Sequence, residues 1–184
     1  MNKKQKGFSL IELLIVVAII LIIAAIAIPN LLRARMAANE TSAVGSLRTM
    51  VTAEVSYNST YSIGFTNDLG TLGGAAGDTV ASCTEALQID SILSNNGTGN
   101  TSQKSGYQFT FTAGTVDFTP ASAVPTGCTA GKVDGFAIQA DALNQGTTGQ
   151  RHFCTDASGV TRYDGTNAIT VANTTCASTA VPLS

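Results

Sequence analysis

The chain lacks most of the side chains from which active sites are built. It has no tryptophan, a single histidine (His152), and charged residues at only 12% of its 184 positions. It also has no P-loop, no nucleophile elbow and no glycine-rich dinucleotide fingerprint after a strand. His152 lies in a predicted strand, where a hydrogen-bonded structural histidine is the better interpretation. We therefore predict a protein that is not an enzyme and has no cofactor.

The charges are distributed unevenly. From Ile63 onward, nine acidic residues outnumber four basic ones, whereas six of the ten basic residues lie at or before Arg48. A nucleic-acid-binding surface usually carries a basic stripe. The mildly acidic C-terminal part therefore indicates no direct nucleic-acid partner.

Four cysteines are present, and no two of them form a C-x-x-C motif. A zinc site would have to use nearly every soft ligand of the chain. We predict no metal site, with calcium at Asp156 and Asp164 as the less favoured alternative. If the C-terminal part of the chain is exported, two disulfides are expected. Four cysteines allow three pairings. We favour Cys154–Cys176, because both residues lie in the C-terminal strand-and-loop region. The disulfide candidates are Cys83, Cys128, Cys154 and Cys176.

One long apolar run dominates the N-terminus. Residues 8–28 contain a single charge, Glu12, and a helix of this length spans about 31 Å, enough for the hydrocarbon core of a bilayer. The preceding Lys3, Lys4 and Lys6 favour a cytoplasmic N-terminus. A secretory signal peptide has a shorter apolar core and a small-residue cleavage site, so we predict a retained membrane-spanning helix.

The residues "KGFSLIELLIVVAIILIIAAIAIP" resemble the start of a type IV prepilin of the type IVa family, with its class III N-terminal methylation signal. The resemblance covers residues 3 to about 35. In that family, a prepilin peptidase cuts after the glycine of a short basic leader and methylates the new amino group. The resemblance implies cleavage between Gly7 and Phe8 and N-methylation of Phe8.

Glu12 carries a cost in this apolar segment. A carboxylate inside a membrane helix costs about 2.5–3.5 kcal/mol on insertion scales and generally needs a partner. Cleavage would create an ammonium group on Phe8, one helical turn away. In a fibre of packed helices, Glu12 can meet the Phe8 ammonium of a neighbour, in a pair that depends on register. We interpret Glu12 as an assembly residue; a carboxylate that merely rests among the headgroups is the alternative.

The helical pattern continues beyond Pro29, which is predicted to kink or locally open the helix. Apolar residues recur at helical spacing to about Tyr57, and Glu40 and Glu54 are placed on other faces together with Arg35 and Arg48. The predicted apolar stripe consists of Ala37, Val44, Leu47, Val51 and Val55.

The C-terminal part favours a small antiparallel sheet. Residues 62–82 are predicted to be a loop, residues 83–95 a short second helix and residues 95–106 a turn-rich break. Three or four strands follow, and the tail beyond residue 166 is predicted to be irregular and held by a cysteine. The strands are "GYQFTFTAGTV", "DGFAIQADA" and the hairpin "RHFCTDASGVTRYD", with its turn at Ala157-Ser158-Gly159.

The predicted fold is α+β: a long N-terminal helix, membrane-spanning in its first half and amphipathic in its second, packed on a small antiparallel sheet, the roll of pilins. The sheet-forming segments also resemble the smaller heads of bacterial pilins. The predicted division is a leader (1–7), a transmembrane or fibre-core helix (8–28), the amphipathic half of the helix (29–61) and a globular head (62–184).

The resemblance implies a structural subunit of a type IV pilus. Its partners would be sister pilins in a homopolymer, the prepilin peptidase, and an assembly platform with its ATPase. The chain would reside in the inner membrane before assembly and in an extracellular fibre afterwards. Such fibres serve adhesion, twitching motility or DNA uptake.

The major pseudopilin of a type II secretion system shares this N-terminus and is the alternative. The four cysteines, and the lack of an acidic residue after Asp164, favour a pilus. A minor pilin and a membrane-anchored binding module also remain open.

Overall fold

The computed structural model describes residues 8–115, 120, 124–128, 133–177 and 179–183. Two helices lie in this part of the chain, α1 (Leu10–Tyr61) and α2 (Leu69–Gly73). The chain divides between Arg35 and Met36 into two compact units. The strands of the second unit are β1 (Thr101–Lys104), β2 (Tyr107–Ala113), β3 (Phe136–Ala142), β4 (His152–Asp156), β5 (Arg162–Asp164), β6 (Val171–Ala172), β7 (Thr175–Cys176) and β8 (Val181–Pro182).

Helix α1 begins and ends at recognisable signals. Ser9 directly precedes its first residue, and α1 contains no glycine before Gly45. The helix ends where Ser62 takes a left-handed φ of 54° and donates its amide to the Asn58 carbonyl at 2.9 Å. This is the common way in which a helix closes its last carbonyls.

In the second unit, the part of α1 after Arg35 packs against the sheet. Leu47, Met50 and Tyr57 are fully buried in one core with Phe109 and Phe153. The three aromatic residues at alternate positions of β2 and the corresponding residues of β3 point into that core, as the period of two predicts. The α+β prediction is confirmed.

The predicted apolar stripe of α1 is correct in part, because Leu47 is buried and Val44 and Val51 are partly buried against the core. Ala37 and Val55 are exposed, whereas Glu40 and Glu54 are buried, at 7% and 0% exposure. Glu54 accepts hydrogen bonds from the amide and the hydroxyl of Thr66. Buried carboxylates with partners can replace apolar residues on a core face, and hydropathy along one helix does not reveal partners that come from distant segments.

The segment between α1 and the sheet also differs from the prediction. Helix α2 lies within the predicted loop, and no helix forms at residues 83–95, which are turns and extended chain. Asp68 caps α2 by accepting from the Thr71 amide at 2.6 Å. Extended residues then pair with α2, since the Ala86 amide donates to the Thr71 carbonyl at 2.8 Å. The Gln88 amide likewise donates to the Leu72 carbonyl, so the chain around these two residues is extended beside α2, whereas residues 91–95 form turns.

The main sheet has six antiparallel strands in the order β1-β2-β3-β4-β5-β8, and β6 pairs with β7 separately. The hairpin of β4 and β5 lies where the sequence places it. Strand β1 occupies part of the predicted turn-rich break, and β6, β7 and β8 occupy the predicted irregular tail. These strands have two to four residues each, too few for a readable alternation.

Two disulfides close the second unit, Cys83–Cys128 and Cys154–Cys176. The second is the pairing that the sequence favours. It joins β4 of the main sheet to β7 of the small one. The first ties the extended chain beside α2 to residues 124–128.

Candidate assembly site

The stem, defined here as residues 8–32, presents a continuous apolar surface. Each of its large apolar side chains is exposed, from 44% at Val17 to 79% at Phe8. Helix α1 contains an 18-residue window with a mean hydropathy of 3.3, none of it buried, and is long and apolar enough to cross a membrane by length and composition. An apolar surface of this extent in water marks a membrane or protein interface.

Glu12 has a local partner that the sequence interpretation missed. Its Oε2 accepts a hydrogen bond from the Ser9 backbone amide at 2.9 Å. The Ser9 carbonyl in turn accepts from the amides of Glu12 (3.1 Å) and Leu13 (3.2 Å). Ser9-Leu10-Ile11-Glu12 follows the S-x-x-E pattern of a capping box, in which the glutamate reaches back to the N-cap amide. The signal was present in the sequence, at the start of the apolar run.

The other predicted site residues of the N-terminus stand as follows. Gly7 lies outside the described residues, and Phe8 is the most exposed large apolar side chain of the stem. Pro29 lies inside α1, which continues on both sides of it. The predicted bend at Pro29 stays a prediction.

In the second unit, Glu40 joins α1 to the turn before β4. Its Oε1 accepts from the amides of Gln150 (2.9 Å) and Arg151 (3.2 Å), and its Oε2 lies 2.8 Å from Arg151 Nε. Burial alone would raise the pKa of Glu40, but these hydrogen bonds and the Arg151 charge outweigh it and lower the pKa. Nothing in the sequence near Glu40 pointed to this partner, 111 residues away.

His152 has the structural role that its strand position predicts. It is 8% exposed, and its Nδ1 lies 2.8 Å from an oxygen of Asp141 on the adjacent strand β3. The imidazole therefore links β3 and β4, the two central strands of the main sheet.

The two aspartates considered for calcium each accept backbone hydrogen bonds. Asp156 accepts from the Ser158 amide at 3.0 Å and from the Cys176 amide at 3.2 Å. Asp164 accepts from the amides of Thr166 and Asn167, which lower its pKa. No group of three His, Cys, Asp or Glu residues that could hold a metal ion occurs among the described residues.

Comparison with known proteins identifies the N-terminal signal. Residues 2–28 match the family model of the prokaryotic N-terminal methylation motif. Over 55 residues, 30% of this chain, the sequence is 53% identical to the type IV wide pilus major component PilA4 of Thermus thermophilus. Over 56 residues, also 30% of this chain, it is 46% identical to the type IV major pilin protein PilA of Myxococcus xanthus.

The matched region spans 42% and 26% of the lengths of these two relatives, less than half of each. No solved structure matches the chain. The methylation motif and the similarity to two major pilins support a type IV pilin, as the N-terminal residues predict.

Proposed function

We propose that this type IV pilin is the structural subunit of a pilus fibre and polymerises through its stem. The observation that carries the proposal is a stem that exposes every large apolar side chain and holds one carboxylate. Such a surface requires lipid or other apolar helices around it. We propose both in succession: the inner membrane, with the N-terminus in the cytoplasm, and then packed sister stems in an extracellular fibre.

Processing precedes assembly in this proposal. Prepilin peptidase removes a leader of residues 1–7 by cutting between Gly7 and Phe8, and Phe8 is then N-methylated. Residues 8–28 form the transmembrane and fibre-core helix, residues 29–61 continue it, and residues 62–184 form the head. The match of residues 2–28 to the methylation motif supports this order of events.

Glu12 is the proposed assembly residue. A carboxylate offers about four acceptor positions, and the Ser9 amide occupies one on Oε2. Oε1 thus stays open to the Phe8 ammonium of a sister chain. In a dry bundle, an unpaired carboxylate costs several kcal/mol, so we infer that the pair fixes the register of each added subunit.

The fibre would be extended by an assembly platform and its ATPase, and would serve adhesion, twitching motility or DNA uptake. A major pseudopilin of a type II secretion system would use the same stem. We favour the pilus because two disulfides close the head, which the family resemblance associates with pili.

The test is to shear the surface of the source cells and to determine the N-terminus of this chain in the recovered filaments by mass spectrometry. The expected result is filaments that contain the chain beginning at N-methylated Phe8. Gly7→Leu should leave the leader attached and abolish the filaments, whereas Gln5→Leu, which introduces the same side chain two residues earlier, should not. A chain that never reaches filaments, and whose deletion abolishes only protein secretion, would support the pseudopilin instead.

A further inference from the structure

A cavity of about 670 Å³ lies in the second unit, between α1 and the β5–β8 side of the main sheet. Its α1 wall is formed by Thr41, Val44 and Arg48, which lie at helical spacing on one side of the helix. The opposite wall belongs to β5, to β8 and to the residue after β8. The residues of this second wall are Tyr163, Val181, Pro182 and Leu183.

The strand register shows that the sheet wall faces the helix. Tyr163 pairs with Phe153 on one side and with Val181 on the other, so these three side chains lie on the same face of the sheet. Phe153 is fully buried in one core with Leu47 of α1. Tyr163 and Leu183 are partly buried against that core. The side chains of both walls therefore converge on the cavity.

Arg151 supplies a fixed cation at this cavity. Its Nε and Nη2 bind one oxygen of Glu40, and its guanidinium lies over the rings of Phe153 and Tyr163. Its Nη1 makes no hydrogen bond within the described part of the chain, and 43% of the side chain is exposed. A guanidinium held in place in this way loses little conformational entropy when it binds a further group. The Nη1 group is therefore a preorganised donor.

Arg48 adds a charge that no acidic side chain neutralises. It is exposed and belongs to none of the three ion pairs formed by the described residues. Glu40 also lines the cavity, but Arg151 compensates its charge. The lining thus has two positive charges against one negative charge, an excess of one. This local excess lies in a part of the chain that is acidic on balance.

The lining defines the class of ligand by its charge and polarity. One negative charge neutralises the excess, whereas a cation is repelled and a dianion keeps an uncompensated charge beside apolar side chains. Guanidinium groups bind carboxylates with two parallel hydrogen bonds. Val44, Leu183 and Val181, which is 53% exposed, provide the apolar surface for the rest of the ligand. Ligand sites usually combine apolar walls with a few convergent polar groups.

An added peptide strand does not suit this edge of the sheet. The Leu183 amide donates to the Thr161 carbonyl, so the backbone of the preceding Pro182 is directed to the open side of β8. Proline has no N–H to donate to a further strand, and a proline on an edge strand opposes such pairing. The cavity therefore suits a small molecule better than an extended peptide.

We propose that this cavity binds a small organic acid that has one carboxylate and an apolar body, such as a benzoate or a branched alkanoate. Arg48 and the Nη1 group of Arg151 bind the carboxylate, and Val44, Val181 and Leu183 contact the body. The proposal goes beyond the proposed function and does not depend on it, because every lining residue belongs to the second unit of one chain.

The experiment is a titration of the ¹⁵N-labelled full chain in uncharged maltoside micelles at neutral pH. The readout is the backbone amide resonances of Val44 and Tyr163 and the Nε–H resonance of Arg151. Benzoate or 4-methylpentanoate should shift these resonances saturably below about 20 mM, a range that captures millimolar affinity. Benzamide, benzylamine and phenyl phosphate carry the ring with no charge, a positive charge and two negative charges, and should bind more weakly. Acetate, which lacks the apolar body, should also bind more weakly.

The first variant fills the cavity. Gly45 lines it, and a Cβ at this position would meet no atom within 4 Å. Gly45→Leu should therefore abolish the shifts and raise resistance to urea, because glycine weakens a helix interior. Loss of binding with a gain of stability cannot be attributed to misfolding. Ser59→Leu introduces the same side chain at an exposed position of α1 about 21 Å further along the helix, and should bind as the wild type does.

The second variant removes the unpaired charge. Arg48→Gln should weaken binding roughly threefold to tenfold, the loss of one charged hydrogen bond at an exposed site. Arg33→Gln, the same change in the first unit, should not weaken it. The proposal is overturned if neither acid shifts the resonances, if benzamide binds as tightly as benzoate, or if Gly45→Leu and Arg48→Gln both bind as the wild type does. Shifts of the same resonances on simple dilution of the chain would assign the cavity to a second copy and would also overturn it.

Discussion

The Arg151 guanidinium donates to one oxygen of Glu40 through both Nε, at 2.8 Å, and Nη2, at 2.7 Å. The same guanidinium lies 5.5 Å from the ring centroids of both Phe153 and Tyr163. Two backbone amides bind the other oxygen of Glu40. This arrangement ties α1 to the turn before β4 through one carboxylate, in addition to the apolar contacts that Leu47, Met50 and Tyr57 make with the core.

The first prediction concerns that carboxylate. Glu40→Gln should lower the free energy of unfolding by about 1–3 kcal/mol, because the charged acceptor is lost while Arg151 remains. Since the Arg151 side chain is 43% exposed, solvent screening favours the lower end. Urea unfolding of the full chain in micelles, followed by tyrosine fluorescence, measures the change. Glu85→Gln removes an exposed carboxylate and should change it little; an equal loss in both variants would contradict the assignment.

The second prediction is the pH dependence of this contribution. The pKa of Glu40 is lowered from its usual 4.5 in the folded state, so the unfolded chain binds the proton first as the pH falls. The stabilisation by Glu40 is therefore fully present above about pH 4.5 and is lost as the pH falls through the lowered pKa. The gap between wild type and Glu40→Gln should close over that window in urea unfolding at stepwise lower pH. A gap that stays constant down to the acid limit would contradict it.

The sequence predicted those parts of the fold in which the cause is local. Phe109 and Phe111 alternate with threonines, and the strand that they predict is β2. The capping of α2 by Asp68 is equally local. Helix α2 has only five residues, however, and lies in a glycine-rich stretch whose composition predicts a loop. Gly73 is required there because a Cβ would lie 2.3 Å from the Ser94 side chain, a contact that only the folded chain reveals.

The candidate site divides in the same way. The apolar stem and its single charge, Glu12, could be recognised from the sequence, because a long hydrophobic run with one charge has few interpretations. The sequence did not reveal the partner of Glu40, because Arg151 lies 111 residues further along the chain. Hydropathy placed Glu40 and Glu54 on solvent-facing sides, whereas each is buried and has a hydrogen-bond donor in a later segment.

The third prediction concerns the two disulfides. Peptide mapping without reduction should find Cys83–Cys128 and Cys154–Cys176 and no other pairing. The cystines close loops with sequence separations of 45 and 22 residues. Loop-closure entropy then predicts losses of about 4 and about 3 kcal/mol when each pair is replaced by serines. Urea unfolding measures both losses. Reduction of the wild type serves as the control, since it should remove both contributions together.

The fourth prediction separates the two roles of Glu12. The capping role needs only an oxygen that accepts from the Ser9 amide, whereas the assembly role needs a negative charge opposite a sister ammonium. Glu12→Gln keeps an acceptor and removes the charge, and Glu12→Ala removes both. If the charge directs assembly, both variants should be processed at Gly7 and inserted in the membrane, yet neither should form filaments.

The measurement combines the N-terminal mass of the membrane-bound chain with filament recovery after shearing. Loss of an ion pair in a dry bundle leaves an ammonium unpaired at a cost of about 3–5 kcal/mol, a penalty that every added subunit would incur. Glu12→Gln should therefore match Glu12→Ala in filament yield. Ser9→Ala serves as the matched control, because it removes a neighbouring polar side chain and leaves the carboxylate and its backbone donor in place. Normal filaments from processed Glu12→Gln, with none from Glu12→Ala, would assign Glu12 to capping alone and exclude the charge pair as the determinant of register.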